Sequence, residues 1–206
     1  MRAGDAFWNP LSGEKALLTE SAEESGGGRI RADFAVEEGG FVPGGKHIHD
    51  NLTETFEVVD GQITFVVNGE KRTLGPGEQV SVPPGSWHEW WNPGRGEVLI
   101  EVTIDPALRF EEAILAVWGL CADGHTSSSG MPSPLLGALV ATRYKDVVRL
   151  GKPSAAVQRF LLPPLAAIAR WRGKDAVIDR YLDLATHPSA QAGLGHLPEK
   201  IMRGPR

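Results

Sequence analysis

Only one cysteine, Cys121, occurs in the 206 residues. No intrachain disulfide can form, so a disulfide-stapled scaffold is excluded, and such sparing use fits a reducing compartment. Long apolar runs are also missing: the longest, from Ala113 to Ala122, falls far short of the ~20 residues a membrane span needs. The N-terminal Met1-Arg2-Ala3-Gly4-Asp5 leads into Phe-Trp-Asn-Pro without the apolar stretch of a signal peptide. Excess positive charge is absent as well. Lys and Arg total 21 against 26 Asp and Glu, a net charge of -5, whereas nucleic acids and anionic membranes call for a basic face. These absences predict a cytoplasmic protein with neither a nucleic-acid nor a membrane partner.

Glycine and proline, by contrast, are plentiful. The chain holds 25 and 15 of them, well above an average combined usage of roughly 12%. Up to about Asp105 they separate short alternating segments that read as strands: 15–21, 29–37, 52–59, 62–67, 79–82, 86–91 and 97–104. Asp60-Gly61 and Asn68-Gly69 are the strongest hairpin signals, because type I′ turns need two residues tolerant of positive φ. Short strands at this spacing suggest a sandwich or barrel.

After Asp105 the period becomes helical. Asp105-Pro106 reads as an N-cap with Pro at the first helical position, followed by Phe110, Ile114, Val117, Trp118 and Cys121 on one face. Ser133-Pro134 opens a second helix carrying Leu136, Leu139, Val140, Val147 and Val148, closed by Gly151. A third, 154–172, is expected to break or kink at Pro163-Pro164, and a fourth runs over about 174–185. The apolar stripes, which include Trp118, Phe160 and Ile168, need a cover: the barrel or a second subunit. The expected division is therefore a β-barrel domain over 1–105, a helical extension over 106–186 packed on the barrel or a dimer partner, and a loose tail over 187–206.

Three of the six histidines stand at telling spacings in the β half. In His47-Ile48-His49 alternate residues share one face of a strand, so both imidazoles can address one metal. Glu54 lies at an odd offset from His49 and joins them only if Asp50–Thr53 contains a turn or bulge. His88 follows Pro83-Pro84-Gly85-Ser86-Trp87. Three imidazoles and a carboxylate form a mixed nitrogen/oxygen site suited to one divalent transition metal: Fe, Mn, Ni, Co, Cu or Zn. By alternation, Phe56 shares the inward face of Glu54 and Trp90 that of His88. Each reads either as core or as the wall of a substrate pocket. His125, His187 and His196 have no partner pattern and read as surface residues.

Residues 47–61, H-I-H-D-N-L-T-E-T-F-E-V-V-D-G, resemble the first motif of the cupin superfamily, G-x5-H-x-H-x(3,4)-E-x6-G. Residues 77–92, G-E-Q-V-S-V-P-P-G-S-W-H-E-W-W-N, are similar to the second, G-x5-P-x-G-x2-H-x3-N, at every fixed position. The one departure is the first glycine, which would fall at Phe41 while Gly40 stands one residue early. The resemblance spans roughly 30–104 and leaves the helical half uncovered. It implies a mainly β fold, a double-stranded β-helix or jelly-roll barrel here followed by a C-terminal α-helical region. It further implies a metal held by His47, His49, Glu54 and His88.

That fold hosts many activities. The complete ligand set beside aromatic residues favours a small-molecule oxidoreductase of the dioxygenase type, with Glu54 also as the catalytic carboxylate. A metal-dependent isomerase or cyclase, and a non-catalytic small-ligand-binding module, are the alternatives. A small molecule and a second copy of the chain, in a homodimer, are the expected partners.

Overall fold

The computed structural model describes residues 1–193. Ten strands come first: β1 (Ala6–Asn9), β2 (Glu14–Glu20), β3 (Ile30–Val36), β4 (His47–Ile48), β5 (Thr53–Asp60), β6 (Ile63–Val67), β7 (Glu70–Leu74), β8 (Gln79–Val82), β9 (His88–Trp91) and β10 (Val98–Asp105). Helices α1 (Phe110–Ala122) and α2 (Pro134–Arg143) follow, then a short strand β11 (Arg149–Leu150) and helices α3 (Ala155–Trp171), α4 (Asp175–Tyr181) and α5 (Pro188–Gly193). The strands form two antiparallel sheets ordered β1-β2-β3-β10-β5-β8 and β11-β4-β9-β6-β7. Each sheet mixes early and late strands, as the expected jelly roll requires, and their inner faces meet in one apolar core with Phe34, Phe56, Phe65, Ile100 and Ile104.

Turn chemistry explains two of the connections. Asn68 and Gly69 both have positive φ, 51° and 90°, and join Val67 to its partner Glu70 in the two-residue β6–β7 hairpin. Asp60-Gly61 is different. Strand β5 pairs with β10 and β8, whereas β6 pairs with β9 and β7, so this dipeptide carries the chain from one sheet to the other rather than closing a hairpin. Of this dipeptide only Gly61 has positive φ, 82°, so the two-residue turn of Asn68-Gly69 is not repeated here. Gly40 stands where close packing leaves no room for a side chain: a Cβ there would lie 2.7 Å from Val36 Cγ1 and 2.8 Å from the Ser12 carbonyl. The early glycine is therefore the one the loop needs.

The helical half departs from its sequence pattern in several places. Asp105 is the last residue of β10, and α1 starts later, at Phe110, after a connection in which Leu108 has φ 46°. Helix α2 stops at Arg143, because Val147 and Val148 lead instead into β11, whose Leu150 and Arg149 pair with His47 and Ile48 of β4. A strand from beyond residue 105 thus completes the sheet that carries the His-x-His pair. Helix α3 continues through Pro163-Pro164. The carbonyls left without N–H partners there belong to Arg159 and Phe160, both exposed, so water can satisfy them.

Trp118 is buried, but Phe160 and Trp171 are 73% and 83% exposed. Helix α3 is apolar nearly all round, and only its Ala166 and Ala169 side is buried, packed among α2 and its neighbours. His187 is also a correction. It is fully buried, its Nε2 3.0 Å from the Leu115 carbonyl and its Nδ1 accepting from the Ser189 N–H. Residues 187–190 are accordingly packed rather than loose, and α5 lies against β1 and α1. His125 is exposed as expected, while His196 and the rest of the tail lie outside the described residues.

Glu14, the first residue of β2, is buried and accepts a 2.5 Å hydrogen bond from Ser12 Oγ. Burial pushes its carboxyl up from 4.5 to about 8, against the hydrogen bond from Ser12. A folded-state pKa above the unfolded value gives a stabilisation fully present below pH 4.5 and lost as pH climbs through about 8. The expected slope is at most about 1.4 kcal/mol per pH unit in that window. Melting curves at pH 5 and pH 8 should show a loss that Glu14→Gln, a permanently neutral isostere, largely abolishes. Equal pH dependence in the two proteins would refute this account.

Candidate metal centre

His47 and His88 are direct cross-strand partners on β4 and β9, and His49 follows one residue beyond β4. Glu54 belongs to the other sheet, on β5 opposite Val82 and Ile104. The odd offset between His49 and Glu54 is resolved by the chain crossing between sheets over Asp50–Leu52, so that inward-facing residues of two sheets converge. All four side chains are buried, and one donor atom from each lies within 4.8 Å of the others. The expected quartet is thereby brought together. Phe56 and Trp90, the two candidates for pocket wall, are also buried and line the cavity that opens from it.

The backbone decides which nitrogen each imidazole presents. Nδ1 of His47 lies 3.0 Å from the Gly45 carbonyl, that of His88 3.1 Å from the Ser86 carbonyl, and that of His49 2.6 Å from the Val147 carbonyl. A carbonyl only accepts, so every Nδ1 carries a proton, and in the neutral imidazole the lone pair is then on Nε2. Such outer hydrogen bonds are the usual way of orienting metal-ligating imidazoles. Val147 is the residue that sequence reasoning missed. It sits 98 residues from His49 in a run read as a helical stripe. Arg149, which pairs with Asp50, and the Asp146 carbonyl, which accepts from Asn51, tie the crossing loop to the same segment.

The lone pairs meet a carboxylate. His88 Nε2 is 2.7 Å from Glu54 Oε2, and His49 Nε2 is 3.3 Å from the same oxygen without a hydrogen bond between them. With neutral imidazoles acceptor would face acceptor, so either a proton on Nε2 or a metal ion lies between them. The buried, unpartnered Nε2 of His49 and the N3O donor set both fit a divalent transition metal ion. The electrostatics agree. Burial, with the His88 and His49 rings adjoining, pushes His47 down to about 3, so it is a neutral donor. Burial would raise the Glu54 carboxyl, but His49 and His88 together overcome it and hold it well below the ordinary carboxylate range. Burial would likewise lower His49, and there the Glu54 charge prevails and raises it.

The second-motif asparagine has a structural task. Asn92 is buried, donating through Nδ2 to the carbonyls of Val36, Glu37 and Gly96 and accepting the Gly94 N–H, which locks the end of β9 against β3. Trp87 and Trp91 are half-buried on the outer side, as alternation requires; Arg149 and Lys46 lie over the first and Lys71 over the second. Cys121 is buried, and burial pushes its thiol up to about 11, which leaves it unreactive at neutral pH.

With both motifs folded around one site, the family follows from comparison. Residues 33–104 match the family model of the cupin domain. This segment is a cupin domain. It contains all four candidate ligands and Phe56 and Trp90, and excludes α1–α5. An oxidoreductase of Arthrobotrys oligospora is 38% identical to the chain over 63 residues, which is 30% of this chain and 24% of that protein. The chain therefore spans about a quarter of the length of this curated relative. Among solved structures, a predicted oxalate decarboxylase from Thermotoga maritima is 20% identical, with 51% of this chain and 93% of that chain covered at a TM-score of 0.44. An RmlC-like cupin from Shewanella frigidimarina is 18% identical, with 52% and 88% covered at a TM-score of 0.44. Among the described residues, no helix is long and apolar enough to cross a membrane.

Proposed function

We propose that this protein is a metal-dependent oxidoreductase of the dioxygenase type acting on a small molecule, with one divalent transition metal held by His47, His49, Glu54 and His88. The observation that carries the reading is the convergence of three Nε2 lone pairs, each fixed by a carbonyl at Nδ1, on one ionised carboxylate at the end of an apolar cavity. When bound, such an ion supplies a Lewis-acidic, redox-capable centre with coordination positions left for substrate.

The chain's own residues do the rest. His47 stays neutral and donates a lone pair. Glu54 is ionised and is the proton acceptor of the site, within reach of any hydroxyl drawn to the cluster. Phe56 and Trp90 exclude water and bound the substrate on the barrel side. The oxidoreductase name of the Arthrobotrys oligospora relative points toward the same reading.

Elemental analysis of the purified protein, together with oxygen uptake against hydrophobic phenols and keto acids, tests the reading. About one iron, manganese, nickel, cobalt or copper per chain, with oxygen consumed on at least one compound, is the expected result. Zinc without oxygen uptake would replace it with a metal-dependent isomerase or cyclase, and a metal-free barrel with a non-catalytic binding module.

A further inference from the structure

The cavity that opens from the metal centre has a volume of about 490 Å³ and does not end inside the barrel. It runs between the inner sheet face and α1, along α2 and out beneath α3. These helices lie outside the cupin match, so this extension of the pocket belongs to the chain's own C-terminal half. Three large apolar residues of α1, Phe110, Ile114 and Val117, pack against the core, line the cavity and are only partly buried. The volume is about three times the ~150 Å³ of an apolar cavity known to take up benzene, and it lies in the ~300–1,000 Å³ range of small-molecule sites.

Its walls offer little to a polar guest. Apart from the centre itself, two of the carboxylates on its lining are engaged elsewhere: Glu14 accepts from Ser12 and Glu111 from the Ala22 N–H. Lys152 is exposed at the rim. The mouth is marked by the two lining residues that water reaches most among the large apolar ones, Val157 and Leu161 of α3, at 37% and 50% exposure. A sugar, amino acid or nucleotide entering here would leave its hydrogen bonds to water unreplaced, a penalty for each group. An apolar body would lose nothing and bury its surface.

We propose that the chamber takes an amphiphile, with an extended apolar body under α1 and α3 and a single oxygen-bearing head at the His47–His49–Glu54–His88 cluster. The apolar part of the inference stands on the chamber alone, while the placing of the head rests on the metal reading above.

Tryptophan fluorescence, from Trp90 and Trp118 in the chamber wall, can follow the binding of hexanoate, octanoate and decanoate to the metal-loaded and the chelator-stripped protein. Affinity is expected to rise about three- to fourfold per added methylene in both states. Succinate and glucose should not compete. The carboxylate should bind at least tenfold more tightly than the matching alcohol only when metal is present. Ile114→Trp, which fills the chamber, should weaken decanoate at least tenfold. Leu161→Arg at the half-exposed mouth should do so as well without disturbing the fold. A flat chain-length series, or unchanged decanoate affinity in both variants, overturns the chamber whatever the metal content. A steep series with no metal-dependent head preference upholds the chamber and overturns the placing of the head at the cluster.

Discussion

Replacing His88 by alanine is expected to strip the protein of its metal. The barrel sets the imidazole geometry before the ion arrives: β9 fixes His88 opposite His47, and the Ser86 carbonyl fixes its tautomer. Losing that donor should weaken binding by more than the ~10–100-fold that follows loss of an outer partner of a ligand. The His47→Ala/His49→Ala double variant should have the larger effect, because it leaves one imidazole and one carboxylate. Metal per chain after gel filtration against a chelator is the measurement. His88→Ala also leaves the Glu54 carboxylate buried without its 2.7 Å partner, so a lower melting temperature should accompany the loss. Stoichiometric metal in the double variant would end the assignment.

Glu54→Gln is expected to separate holding the metal from moving a proton. Glutamine keeps the size and an oxygen donor but removes charge and basicity. Three Nε2 lone pairs remain, each still fixed by its carbonyl, so metal content should survive with weaker affinity. Turnover should drop by about 10²–10⁴-fold, the usual contribution of a positioned general base. Elemental analysis and ligand-induced thermal shift of the variant come first, and the oxygen-uptake assay follows once a substrate is in hand. Retained metal with turnover equal to wild type would remove the proton-transfer role from Glu54.

The parts of this site that were legible in the sequence are those governed by local geometry. His47 and His49 share a strand face because alternate residues do, and Phe56 follows Glu54 inward and Trp90 follows His88 by the same rule. Asn68-Gly69 turns because both residues accept positive φ. Where local preference admits two outcomes, the reading failed. Asp60-Gly61 is as good a corner between sheets as a hairpin. Val147-Val148 fits a helical stripe but leads into the edge strand Arg149–Leu150, because β4 offers that strand an unpaired neighbour. His187 has no motif around it, yet it is fully buried, held by the Leu115 carbonyl 72 residues away.

Side-chain identity and spacing along the chain thus determined the donor set, the inward face of each strand and the existence of a β half followed by helices. Tertiary structure alone decided how the donors are presented. The Val147 carbonyl sets the His49 tautomer, β11 pairs with the His-x-His strand, and α1–α3 roof the barrel with an apolar chamber. The physical reason is the range of the interactions. Alternation and turn propensity act over a few residues, whereas a hydrogen bond across 98 residues, or a cavity between two layers, exists only once the whole chain has packed.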